Sequence, residues 1–348
     1  MWLGTLLLAC RPGPVAFEER AFEGTSADGH VRFEVELDGT SALFALQGDA
    51  WLAVDTLEGP DGVVLDWRDW VDDELLTAAV YTGPSQTVLN WPIREDDPPL
   101  TPGTWTLDTT VVDRLALPLD GVDVRAVVRT KLDDDLRRGT VSAVLLVPEG
   151  LDPALRDGAI EATERWRRVW RDHGLWLDVE VRDADLGLVV PNLGQGAPAV
   201  REAVALAGEA DLVAWVGEEV EGFGMALGVS GSIPNASFDS PRGVLGLAAL
   251  NAAGTDGVFT AAEIRLFGEV MAHEGAHFLG LFHPIELDFT RRDALDDTPA
   301  CDAREACEDL LAGNLMFPYP ICISDRCARA DDLTPGQRAV LHRYTGVR

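Results

Sequence analysis

Three histidines within eleven residues, His273, His277 and His283, constrain this chain more than any other feature, and they are half of its six. The run reads His273-Glu274-Gly275-Ala276-His277-Phe278-Leu279-Gly280-Leu281-Phe282-His283. Residues four apart share one face of a helix, so His273 and His277 reach one metal ion if this stretch is helical. Upstream, Thr260-Ala261-Ala262-Glu263 has the form of a capping box, and Ile264, Phe267, Met271, Phe278 and Leu279 follow helical spacing. Gly280 predicts a stop with positive φ, after which the chain can turn and bring His283 back as a third ligand. Three imidazoles leave the fourth position of a tetrahedral zinc ion open, the pattern of a catalytic site and not a structural one. Glu274, next to the first ligand, is placed to take a proton from water activated there. The competing reading is a set of core histidines with satisfied hydrogen bonds. His30, His173 and His342 have no such neighbours and receive no role.

Composition narrows the remaining possibilities. The 348 residues make two domains the prior, and 47% hydrophobic with 25% charged residues describes a globular chain with material for a core. The balance of 28 basic against 59 acidic side chains, a net charge of -31, repels a phosphate backbone and excludes nucleic acid as the partner. That acidity is expected to favour basic substrates. No apolar run reaches the roughly 20 residues a transmembrane helix needs.

Along the chain, residues 22–140 read as short strands separated by turns. His30 to Leu37 alternates through Val31, Phe33, Val35 and Leu37, and Asp38-Gly39 follows as a turn. Further strands are expected at Trp105 to Val112 and Val122 to Thr130, with turns at Pro60-Asp61-Gly62, Thr82-Gly83-Pro84, Pro102-Gly103 and Asp120-Gly121. This predicts an all-β sandwich or jelly roll. From 141 to 348 the pattern becomes α/β. Thr140 to Val147 is a buried strand, Asp152 to Arg171 a helix, and Leu175 to Val181 and Asp211 to Val216 are further strands. The arginines at 165, 167, 168 and 171 read as a solvated helix face.

The apolar start, Met1 to Ala9, ends in Leu7-Leu8-Ala9-Cys10, which resembles a bacterial lipobox. The resemblance implies a signal peptide and tether over residues 1–21 and a lipid on Cys10. The expected location is outside the cytoplasm, anchored at the outer membrane or cell surface or otherwise secreted, with membrane contact only through that anchor. Of the five cysteines, four then remain for an oxidising compartment, and four allow three pairings.

The eleven-residue histidine run resembles the long zinc motif of the metzincin metallopeptidases. Asn314-Leu315-Met316 resembles their methionine turn, which implies that Met316 packs beneath the zinc and does not ligate it. Asp296-Asp297-Thr298-Pro299 with Cys301, and Leu333-Thr334-Pro335-Gly336-Gln337, resemble the pappalysin branch. The resemblance implies a two-domain chain, the β-sandwich followed by a metzincin-like catalytic domain with a twisted upper sheet and an irregular lower subdomain. It implies interleaved disulfides, Cys301 to Cys322 and Cys307 to Cys327. Calcium is the further cofactor it implies, on Asp293, Asp296 and Asp297, for which a solvated loop or a helix cap is the competing account. Many metzincins place a tyrosine two residues after the methionine; here that position is Pro318, and Tyr319 is expected to supply the hydroxyl. Gly224 to Ser232 is the candidate edge strand for an extended substrate.

The function expected from these residues is zinc-dependent hydrolysis of protein or peptide substrates. His273, His277 and His283 hold Zn2+, Glu274 is the general base and Tyr319 assists. The alternative is a non-enzymatic zinc-binding surface lipoprotein that uses the scaffold and the sandwich for binding. A third reading moves the third ligand to an acidic residue, Glu286 or Asp288.

Overall fold

The computed structural model describes residues 17–71, 75–76, 83–132, 136–193, 198–234, 242–323, 326–344 and 346–347. The lipobox, Cys10 and the turn residue Thr82 lie outside them. Among the described residues no helix is long and apolar enough to cross a membrane.

The first part contains β1 (Phe17–Thr25), β2 (His30–Leu37), β3 (Ser41–Gly59), β4 (Gly62–Asp66), α1 (Trp67–Val71), β5 (Leu75–Leu76), β6 (Gly83–Trp91), β7 (Gly103–Val112) and β8 (Asp123–Lys131). β2 alternates buried and exposed side chains along its whole length, as the period-two pattern requires. Seven strands form one antiparallel sheet in the order β1-β8-β3-β7-β2, with β4 and β6 also on β3. β3 is the reason the two faces of the expected sandwich are one sheet. Its first half pairs with β8 and β6 and its second half with β7 and β4, with register shifts between them, so the sheet folds over on itself and nearly closes. Val31, Phe33, Phe44, Leu57, Trp91 and Trp105 fill the interior.

The second part begins with β9 (Gly139–Pro148), α2 (Pro153–Asp172), β10 (Leu175–Ala184), β11 (Val189–Val190), α3 (Pro198–Ala207), β12 (Leu212–Gly217) and β13 (Glu219–Val220). It continues with β14 (Gly228–Ser230), β15 (Gly243–Ala248), α4 (Ala249–Ala253) and α5 (Ala261–Phe278). The lower region holds β16 (Arg292–Asp293), α6 (Arg304–Leu311), β17 (Cys322–Ile323), β18 (Arg326–Cys327) and α7 (Pro335–Arg343). The five-stranded sheet runs β10-β9-β12-β15-β14 and is parallel except for β14, which is antiparallel at the edge. Within the expected segment Gly224 to Ser232, only Gly228–Ser230 forms strand. The central strands β12 and β15 are buried along their full length because helices cover both faces.

α5 packs against α2 on one face of this sheet. Gly268 and Gly275, seven residues apart, allow the close approach. A Cβ at Gly268 would lie 2.5 Å from the Arg165 side chain, and one at Gly275 would lie 2.5 Å from Trp170. The glycine inside the histidine run is thus a packing requirement. α2 starts one residue after its cap Asp152, whose side chain accepts from Ala154 N.

The two parts share one core. Leu43, Ala45 and Val88 of the first sheet belong to the same buried cluster as Trp170, Phe278, Met316, Tyr344 and Val347. Lys131, the single lysine of the chain, is fully buried there, and its Nζ donates to the carbonyl of His342. Asn90 Nδ2 donates to Arg343 O nearby. A strand pattern reveals which face is apolar but not which neighbour covers it, so the sequence presented this seam as a boundary.

Two sequence expectations fail here. Arg165 is not solvated. It is buried, and its guanidinium donates to Glu269 Oε1 (2.6 Å) and to Asp331 Oδ2 (2.5 Å). The disulfides are not interleaved either; they join Cys301 to Cys307 and Cys322 to Cys327. Cys322 and Cys327 are direct partners across the β17–β18 ribbon, with Cα atoms 3.9 Å apart, and Cys301 lies 5.4 Å from Cys307 on α6. Both bonds close short local loops and do not staple one part of the lower region to another.

Candidate metal centre

α5 carries the first two histidines, and its start is as the sequence requires. Thr260 accepts from Glu263 N while the Glu263 carboxylate accepts from Thr260 N, a complete capping box. The helix stops at Phe278, and Gly280 follows at φ 101°, a region open to glycine at little cost. The chain then reverses and returns His283.

The three rings converge through Nε2. His283 Nε2 lies 3.1 Å from His277 Nε2 and 3.3 Å from His273 Nε2. Ligand nitrogens at 2.0–2.1 Å around a tetrahedral zinc are about 3.3 Å apart, so this spacing fits one ion. Each Nδ1 is occupied on the other side of its ring. His273 Nδ1 donates to Leu315 O at 2.7 Å and His277 Nδ1 to Leu281 O at 2.6 Å. His283 Nδ1 lies 3.1 Å from both carboxylate oxygens of Glu286. Because the two carbonyls accept the Nδ1–H of His273 and His277, the Nε2 atoms of those neutral rings present lone pairs, and His283 Nε2 points to the same place. Burial holds the His273 ring neutral down to about pH 3, with the neighbouring His283 adding to the effect. His277 is lowered well below its ordinary value by burial first and by the other two rings second. Neutral, pre-aimed imidazoles are the protonation state a metal requires.

Glu286 therefore sits behind the His283 ring, and its carboxylate is not among the three converging atoms. Asp288 lies further out, where it accepts from Thr290 N, Arg291 N and the Arg291 guanidinium, contacts that hold its carboxyl well below the usual range.

Glu274 is buried beside the cluster. Burial pushes its carboxyl up to about 8, opposed by a hydrogen bond from the Ser230 backbone N–H of the edge strand. A cation at the three histidines would favour its ionised form. Sequence reasoning missed Gly228, two residues before Ser230. A Cβ there would lie 2.7 Å from Glu274 Cγ and 2.8 Å from Val270 Cγ1, so only glycine lets β14 approach α5 this closely. The isolated glycine inside the expected edge strand was the available signal.

The methionine turn is anchored from behind. Met316 is fully buried, Leu315 O holds His273, and Met316 N donates to Asn314 Oδ1. Asn314 Nδ2 donates to Gln337 Oε1, and Gln337 completes a capping box with Thr334 at the start of α7. The two short phrases noted in the sequence are thus one hydrogen-bonded unit. Tyr319 lines the same cleft as His273 and Glu274, but its hydroxyl donates to Glu308 Oε1 at 3.0 Å.

The three aspartates are not gathered into a ligand group. Asp293 is buried and accepts from the Thr298 hydroxyl and Leu295 N, Asp296 is exposed, and Asp297 accepts from Thr334 Oγ1 and Gly336 N. Asp297 thus caps the start of α7, the competing account given above. Among the described residues one other group has metal-ligating atoms close together: His30, Asp55 and Asp108, on β2, β3 and β7 of the first sheet. His30 Nδ1 is 3.1 Å from Asp108 Oδ1, but Arg32 and Arg68 pair with the two carboxylates, and Trp67 Nε1 donates to Asp55.

No family model and no curated protein matches the chain. Among solved structures it is similar to metalloproteinase-II from Bacteroides fragilis, with a TM-score of 0.30, 12% identity, and coverage of 51% of this chain and 56% of that one. A family two carbohydrate esterase from Cellvibrio japonicus matches with a TM-score of 0.17, 9% identity, and coverage of 57% and 67%. The chain spans little more than half the length of that metalloproteinase, and scores this low assign neither fold nor activity.

Proposed function

We propose that this chain is a zinc-dependent endopeptidase of the metzincin type, nearest the pappalysin branch, with an accessory β-rich part ahead of the catalytic part. The observation that carries this reading is the convergence of three imidazole Nε2 atoms beside a buried carboxylate. His273, His277 and His283 would hold the ion. A bound zinc would supply the positive charge that acidifies water and polarises the scissile carbonyl.

The protein's own groups do the rest. Glu274 takes the proton of the attacking water at a carboxylate oxygen and hands it to the leaving amine. The Ser230 N–H keeps that carboxylate from swinging away. β14, at the sheet edge, offers backbone groups to an extended substrate. Tyr319 would reach the reacting carbonyl only after leaving Glu308.

The two disulfides suit an oxidising compartment, in keeping with export and a lipid anchor at Cys10. The non-enzymatic alternative gains nothing from a buried carboxylate beside three histidines. Purified protein is expected to carry about one zinc per chain and to cleave an unfolded protein substrate. Full activity in Glu274→Ala, or with the metal chelated, would sink the proposal.

A further inference from the structure

The cleft beside His273 and Glu274 has a volume of about 320 Å³, at the small end of the roughly 300–1,000 Å³ of ligand sites. One wall comes from the edge-strand approach, Met225 to Gly228, and the opposite wall from Leu315 to Pro320. Leu266 and Val270 of α5 add further apolar surface. Apart from the general base, the only carboxylate among the described wall residues is Glu269, one helical turn before His273.

That carboxylate is already satisfied. Glu269 Oε1 accepts from Arg165 Nε (3.1 Å) and Nη2 (2.6 Å), and Oε2 accepts from Arg265 Nη1 at 2.8 Å. Ala330 N approaches Oε2 at 3.5 Å, and Asp331 balances the second positive charge through Arg165. Glu269 and Asp331 face Arg165 and Arg265, with the exposed Arg329 3.7 Å from Asp331, so this end of the cleft carries no net negative charge. A guest lysine or arginine would lose its water and find, beyond Glu274, no unpaired carboxylate among the described wall residues, which is costly. An apolar side chain loses little and gains about 25 cal/mol for each Å² it buries.

Resting on the peptidase reading of this site, we infer that the Arg165–Glu269–Arg265 cluster sets substrate choice, so that the cleft takes a bulky apolar side chain next to the scissile bond and rejects a basic one. This reverses what the net charge of -31 suggests. The surface field draws cations toward the molecule, but the charge inside the cleft decides what seats. Arg265 is the positioning residue of the cluster: it touches Glu269 and is absent from the cleft wall.

The test uses the full-length, zinc-loaded chain carrying Glu274→Gln, with blocked peptides that differ only in one residue, leucine or arginine, among alanines. Binding is expected to favour leucine at least tenfold, and cleavage by the native chain to follow the same order. Arg265→Met, which takes from Glu269 Oε2 its only guanidinium, should shift the leucine-to-arginine ratio toward arginine at least tenfold. Adding Glu269→Gln to that variant should restore it. Equal or tighter binding of arginine by the Glu274→Gln chain, or binding of neither peptide, overturns the inference. So does an unchanged ratio in a folded Arg265→Met chain. Leucine-selective binding without cleavage by the native chain supports the specificity and defeats the peptidase reading.

Discussion

His273, His277 and His283 on one side, and His30, Asp55 and Asp108 on the other, each bring metal-ligating atoms within 4.8 Å of one another. What surrounds them differs. In the first group each ring is fixed from behind by a carbonyl or carboxylate, and among the described residues no guanidinium pairs with the cluster. In the second, Arg32 and Arg68 already neutralise the carboxylates, and the His30 side chain is 47% exposed, so a metal would have to displace guanidinium partners. Proximity is common to both; pre-aimed ligand atoms without a competing guanidinium belong to one.

The largest test of that contrast is metal content. His283→Ala should abolish stoichiometric zinc by elemental analysis, and His30→Ala should leave it unchanged. Zinc lost on changing His30 would break the comparison. Next comes the role of arginine at each place. Arg165→Met takes two hydrogen bonds from the buried Glu269, which keeps only the Arg265 guanidinium, and should cost about 1–3 kcal/mol in denaturant unfolding. Arg32→Met, at an exposed pair, should cause no measurable loss. Equal effects would mean that burial does not separate the two clusters.

Glu286→Ala sharpens the point about orientation. It removes no ligand, yet it should weaken zinc binding about 10–100-fold in a chelator competition, because the His283 ring loses its anchor. Unchanged affinity would show that the loop alone fixes that ring.

The smallest expected effect is one of pH profile. Burial pushes the Asp293 carboxyl up to about 7, and Thr298 and Leu295 N oppose this. The folded state therefore holds this proton more tightly than the unfolded chain, whose carboxyl titrates near 4. Its contribution to stability is complete below pH 4 and is lost as pH rises through about 7. Asp293→Asn should match the native chain near pH 4 and exceed its Tm at pH 8. A native profile that rises between those values would contradict the assignment.

Much of the metal centre was legible because its grammar is local. A capping box, two histidines one helical turn apart, a glycine stop and a returning histidine all lie between Thr260 and His283. Strand β2 was equally legible, since alternation along a strand records which face is buried. The residues that finish the site were less so. Glu286 looked like a rival ligand, and Gly228 and Glu269 carried no motif. Their roles depend on neighbours from other elements, β14 against α5 for Gly228 and α2 for Glu269.

The sequence alone thus determined where a metal can be held, because helical spacing and glycine conformation act over a few residues. Tertiary structure decided what those groups face. It paired the cysteines locally, turned Asp297 into a helix cap, folded both parts around one core, and neutralised Glu269 with arginines more than a hundred and sixty residues from Asp331 in one case. Burial, pairing and the balance of charge in a cleft depend on which distant segments meet, and no local pattern records that.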